Sequence, residues 1–171
     1  AVDLLADYLE DADDPVDVIP PVLEEHAALA RLAVRAASER RPDVVSLIEA
    51  ASARHVGHLL DEATLTLGAG KGSRSWALDA LPAIDEVPWD SLRTIPIAAV
   101  TGSNGKTTTV RLIAACARAH GWCDGFNCTD GVFIGRKAVA SGDYSGPAGT
   151  RLVLRNTSVE AAVIETARGG I

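Results

Sequence analysis

The sequence predicts an α/β fold in which a parallel sheet is covered by helices, preceded by a small, mainly helical region with a β-hairpin. Three observations predict it. Apolar runs at "IPIAAV" (95–100), "CDGFNCT" (123–129) and "EAAVIET" (160–166) have the length and composition of buried strands. Helix-like segments lie between them, and strands alternating with helices pair in parallel under helical cover. Aromatic side chains make up only 4% of the 171 residues, so aliphatic residues must supply the core almost alone. A chain of this length can still bury a sizeable one.

The first 25 residues contain nine acidic and no basic residues, within a formal net charge of −7. Such a surface repels nucleic acid and anionic lipid, and it reads as a solvated helix face or a frayed terminus. From about Pro21 to Arg40, Leu29, Leu32, Ala33 and Ala36 line one helical stripe, which "RRP" (40–42) stops. Asp43 is placed to cap a second helix, with Val44, Leu47, Ile48, Ala51 and His55 on one face and Gly57 at its end. The two form an expected helical hairpin. "TLTLGAGKGSRSWAL" (64–78) then alternates around a glycine-rich turn, the pattern of a β-hairpin. "DALPAIDEVPWDSLRT" (79–94) reads as a surface linker, and the boundary near Leu92 divides an N-terminal region, 1–92, from a second domain, 93–171.

In the second domain a strand from Ile95 leads through a loop into a helix from Lys106 to about His120, with Val110, Ile113, Ala114 and Ala117 inward and Gly121 as its stop. "CDGFNCT" is the next strand, "GVFIGRKAVASG" (131–142) a hairpin, "GPAGTRLVLRN" (146–156) a helix and "EAAVIET" the last strand. Cys116, Cys123 and Cys128 are odd in number and lack CxxC spacing, which fits reduced cytoplasmic thiols. There is no signal-peptide pattern, and no apolar run reaches the roughly 18 residues of a membrane span. The expected protein is cytoplasmic. Methionine is absent even at position 1, so the chain reads as a piece of a longer protein.

The chemistry is concentrated in "VTGSNGKTT" (100–108). A loop that leaves the carboxyl end of a buried strand and becomes a helix directs backbone N–H groups and the helix dipole at one spot, which favours an anion. Gly102 and Gly105 let the backbone wrap phosphate oxygens, Lys106 can reach the β and γ phosphates of ATP, and the Thr107 hydroxyl can ligate the bridging Mg2+. This is a P-loop reading of the parallel sheet, although Val100 stands where GxxxxGK[ST] has its first glycine. Asn104 shapes the loop, since asparagine tolerates left-handed backbone. Thr108 either assists the phosphates or caps the helix. Thr129 and Asp130 fall where the second parallel strand ends, and serve either a substrate or an Asx-type turn. Asp143 to Gly146 read as a surface loop. "GAGKG" (68–72) mimics a phosphate loop but sits in a hairpin turn, and His55 with His58 lacks a third metal ligand nearby.

The loop resembles that of the Mur ligase superfamily, TGTNGKT[TS], with Ser103 in place of the middle threonine. The stretch "TDGVFIGRKAVASGDYSGPAGTRLVLRNTSVEAAVIETARGGI" is similar to the ligase half of cyanophycin synthetases, in which TTDGVYI, GD.TGP and VLETARGGI occur in this order. The resemblance covers Ile95 to Ile171. It implies an ATP- and Mg2+-dependent ligase that phosphorylates a small-molecule or peptide carboxylate to an acyl phosphate and passes it to an amino-acid amine. By position it assigns Gly102, Ser103, Asn104, Gly105, Lys106, Thr107 and Thr108 to ATP, Thr107 and Glu165 to the metal, and Lys106 and Glu165 to catalysis. It also keeps Arg168, with Gly169 and Gly170, near the metal, where Arg168 would contact substrate and the glycine pair would admit phosphate or simply start a helix. A carboxylate at the exit of an apolar strand is costly unless compensated, which suits Glu165 to a cation; a pairing with Arg168 is the alternative. The family continues with further strands and another domain, so the nucleotide fold is expected to be incomplete here and inactive alone. A P-loop triphosphatase or phosphotransferase and a non-catalytic ATP-binding module are the competing functions.

Overall fold

In the computed structural model the described residues are 25–38 and 40–166. The chain divides into two compact units, Ala1–Arg40 and Arg41–Ile171. Within the first, α1 spans Glu25–Ser38, and Leu29 and Leu32 of its predicted stripe are exposed.

The second unit opens with α2 (Pro42–Ala53). Pro42 sits in the first turn, where its missing N–H costs nothing, so it starts this helix instead of merely ending the one before. Asp43 is therefore inside the helix and not its cap; it is ion-paired with Arg41 at 2.7 Å, which draws its carboxyl below the usual range. His55, at φ 57°, takes the left-handed turn out of the helix that the sequence assigned to Gly57.

The expected hairpin of β2 (Thr64–Leu67) and β3 (Arg74–Ala77) is present, and a third strand, β1 (His58–Leu60), joins β2 antiparallel. Asp61 makes the turn between β1 and β2 by accepting from the N–H groups of Ala63 and Thr64 at 3.1 and 2.9 Å. Leu65 and Leu67 pack with Leu47, Ala51 and Val56 into one core. The stretch predicted as a surface linker is pinned there by Val87 and Leu92. The "GAGKG" loop clasps the end of this stretch: Ala69 N–H donates to the Arg93 carbonyl at 3.1 Å and Arg93 N–H to the Gly72 carbonyl at 3.0 Å. A Cβ on Gly72 would stand 2.4 Å from the Arg93 carbonyl oxygen, so close backbone approach explains the glycine.

The larger sheet has the order β4-β8-β5-β6-β7, with β4 at Ile97–Val100, β5 at Asp124–Cys128, β6 at Gly131–Ile134, β7 at Lys137–Ser141 and β8 at Ala161–Glu165. Its first three strands are parallel, as predicted, but β6 and β7 run antiparallel, so the sheet is mixed. The short β5-β6 and β6-β7 connections allow nothing else, because a parallel return needs a crossover of a dozen or more residues. One face is covered by α3 (Lys106–Ala119), whose Val110 and Ala114 pack on Phe126, Cys128 and Val163. The other is covered by α4 (Pro147–Leu154), whose Val153 and Leu154 pack on Val132, Ala162 and Ile164. Arg155 ties α4 to the smaller sheet, donating to Asp61 at 2.6 Å and to the buried Thr66 hydroxyl at 2.9 Å.

Candidate functional site

The parallel register sets Val100 of β4 beside Glu165 of β8, and Asn127 of β5 beside Ile164. The carboxyl ends of the three parallel strands thus form one edge, and the 101–105 loop leaves β4 at that edge to become α3. Open α/β sheets bind ligands at this end of their strands.

Thr101, Gly102, Ser103, Asn104 and Gly105 are all exposed. Gly102 and Gly105 have φ of 141° and 77°, a region that favours glycine. A Cβ at Gly105 would meet nothing within 4 Å, so this glycine is required by conformation and leaves open space above the helix N-terminus. Lys106 is half-buried, folded over its own loop so that Nζ donates to the Gly102 carbonyl at 3.0 Å. Thr108 is exposed.

Thr107 lies at the centre. Its hydroxyl donates to Glu165 Oε2 at 2.9 Å and stands 3.3 Å from the Thr129 hydroxyl. Glu165 is 1% exposed, and its Oε1 has no hydrogen-bond partner among the described residues. A buried carboxylate oxygen left without a donor is costly unless a cation or a hydrogen-bond donor compensates it. Among the described residues no group of three or more His, Cys, Asp or Glu could hold a metal. Asp130 is exposed and pairs with Arg111 of α3 at 2.5 Å.

The structure therefore brings Lys106, Thr107, Thr129 and Glu165 to one edge, with Asp130 alongside. Arg168, Gly169 and Gly170 lie outside the described residues. The 143–146 segment is more firmly held than a surface loop: Ser145 is buried, and its N–H and hydroxyl donate to Asp143 Oδ1 at 3.0 and 2.7 Å, which lowers the Asp143 pKa. The "GAGKG" lysine is committed elsewhere, with Lys71 Nζ 2.8 Å from Glu160. His58 lies on β1 and His55 beyond the end of α2, so the two do not share a helix. Sequence reasoning missed Asn127. An asparagine inside "CDGFNCT", a run read as a buried strand, was the available signal, and it is fully buried.

An α/β domain with a glycine-lysine-threonine loop over a buried strand-end carboxylate is the class that this edge defines. This chain matches the Mur ligase middle domain over residues 100–171. It is similar to cyanophycin synthetases: 47% identical over 93 residues to that of Crocosphaera subtropica and 48% over 93 residues to that of Geminocystis herdmanii, in each case over 54% of this chain and 11% of the relative. The enzyme of Trichormus variabilis is 52% identical over 77 residues, 45% of this chain and 8% of the relative. The chain thus spans only about a tenth of the length of these relatives. Among the described residues no helix is long and apolar enough to cross a membrane.

Proposed function

We propose that this chain carries the phosphate- and magnesium-binding side of an ATP-dependent ligase that joins a carboxylate to an amino-acid amine through an acyl phosphate. The observation that carries the reading is the buried Oε1 of Glu165, without a hydrogen-bond partner among the described residues, beside the Thr107 hydroxyl at the loop. Lys106 and the loop N–H groups of residues 102–108 would hold the triphosphate, and Thr107 with Glu165 would hold Mg2+. Bound magnesium-ATP supplies the phosphoryl group that activates a carboxylate. The chain's own contribution is placement: Lys106 swings off the Gly102 carbonyl to meet the phosphates, and Thr129 and Asp130 face the substrate at the adjoining strand end, with Arg168 assigned beside them from the resemblance. The acceptor is a small molecule or peptide with a free carboxylate. The acidic net charge of −7 argues against nucleic acid as a partner, and the setting is cytoplasmic.

The mechanism is tested by trapping. With magnesium-ATP, hydroxylamine and a panel of amino-acid and peptide carboxylates, the longest expressible form of the protein is expected to form a hydroxamate, because hydroxylamine displaces phosphate from an acyl phosphate. Phosphate release that needs no carboxylate would replace the ligase with a triphosphatase. Neither signal, with ATP still bound, would leave a binding module.

The cation role has its own test. Glu165→Gln keeps the shape and the acceptor for Thr107 but removes the charge, so the magnesium concentration that half-saturates ATP binding should rise about thirtyfold, the equivalent of ~2 kcal/mol for one charged contact. ATP affinity without magnesium should hardly change. An unaltered magnesium titration would remove Glu165 from the metal site.

A further inference from the structure

Asn127 is 0% exposed and sits in β5 with its Cβ directed at Gly149 of α4, on the sheet face opposite Phe126 and Cys128. Its carboxamide makes three hydrogen bonds. Oδ1 accepts from Glu165 N–H at 3.2 Å, and Nδ2 donates to the Glu165 carbonyl at 3.0 Å and the Tyr144 carbonyl at 2.6 Å. Two carbonyls and one N–H fix which end of the amide points where. Asn127 therefore grips Glu165 by both of its backbone groups, as a peptide of a neighbouring strand would, while the Glu165 side chain leaves toward α3.

The carboxylate itself is held lightly. Thr107 is the partner of Oε2, and Oε1 has none among the described residues. Its position is consequently set from behind, by the backbone from which it projects. Gly149 allows this arrangement, since a Cβ there would stand 2.9 Å from the Asn127 Cβ and 2.1 Å from the Tyr144 carbonyl oxygen. The same amide also fixes the 143–146 segment, where Tyr144 N–H donates to the Cys128 carbonyl at 3.1 Å.

We propose that Asn127 is a positioning residue for the cation site: it touches neither metal nor nucleotide, and it holds the Glu165 carboxylate where Mg2+ is bound. The inference rests on the magnesium-ATP reading above and assigns the site a supporting residue on the other side of the sheet. Groups that orient metal ligands from behind commonly change metal affinity by about 10–100-fold when removed.

The test is calorimetric titration of the 171-residue chain with ATP at a series of magnesium concentrations, for the parent, Asn127→Ser and Asn127→Asp, and for each in a Glu165→Gln background. The aspartate variant keeps the acceptor for Glu165 N–H and serves if the serine variant does not fold. The expected result is a magnesium midpoint raised about tenfold with magnesium-free ATP affinity unchanged. No further rise is expected once Glu165 is glutamine, because a group acting through Glu165 is non-additive with it. A folded variant with the parent's midpoint, an equal increment in both backgrounds, or unfolding of both variants would overturn the inference. A parent that binds no magnesium-ATP overturns the nucleotide reading itself, and so is distinguishable from the failure of Asn127 alone.

Discussion

Lys106→Ala is expected to abolish tight magnesium-ATP binding while leaving the fold intact. The lysine is half-buried and makes one hydrogen bond, to the Gly102 carbonyl at 3.0 Å. Losing it costs the empty protein about 1 kcal/mol at most, because the freed carbonyl lies in an exposed loop that water can reach. In the bound state the ammonium would face phosphate oxygens that share the negative charge of ATP, and one charge-assisted contact of that kind contributes about 3 kcal/mol, or roughly a hundredfold in affinity. Parallel thermal melts and calorimetry separate the two effects. Equal affinity in variant and parent would remove the loop from the mechanism. A collapse of stability would mean that the Gly102 contact is structural.

The legibility of this site follows from which features are local. The loop could be read because its chemistry and its backbone requirements lie within a few consecutive residues, and Gly102 and Gly105 do adopt the positive φ that a wrapping loop needs. Most strands and helices from residue 95 onward were legible for the same reason: apolar runs and helical periods are local signals. What escaped was set by tertiary pairing. β1 was hidden because "HLL" is too short to show alternation, and its existence depends on an Asx turn at Asp61 and on β2 as a partner. The mixed sheet was hidden because the hairpin at β6 and β7 reads the same whether it stands alone or extends a parallel core. Asn127 and Glu165 are 38 residues apart, and only the β5-β8 register brings the carboxamide to the Glu165 backbone. The resting contact of Lys106 was hidden because its partner is a carbonyl of its own loop, with Gly102 at positive φ.

Arg118→Ala should produce the largest loss of stability. Asp124 begins β5 with 0% exposure, and Arg118, near the end of α3, grips it with two bonds, Nε to Oδ1 at 2.9 Å and Nη2 to Oδ2 at 2.7 Å, with a third to the Gly135 carbonyl at 3.2 Å. The Asp124 bonds hold the guanidinium even more firmly protonated than in water. Removing the arginine leaves a carboxylate without its counter-charge in the interior, a loss of about 3 kcal/mol, which for a unit of this size lowers the melting temperature by roughly 10 °C. Replacing both members, as Arg118→Leu with Asp124→Ala, should recover much of the loss, since the penalty comes from the orphaned charge more than from the missing attraction. Because α3 is 14 residues long, the clamp sits about 20 Å from Lys106 and Thr107 at the opposite end of the helix. Below its melting range the Arg118→Ala chain should therefore bind magnesium-ATP with the parent's affinity. A weaker affinity at full folding would mean that the helix transmits the position of its carboxyl end to the loop, and that this clamp is part of the binding site's support.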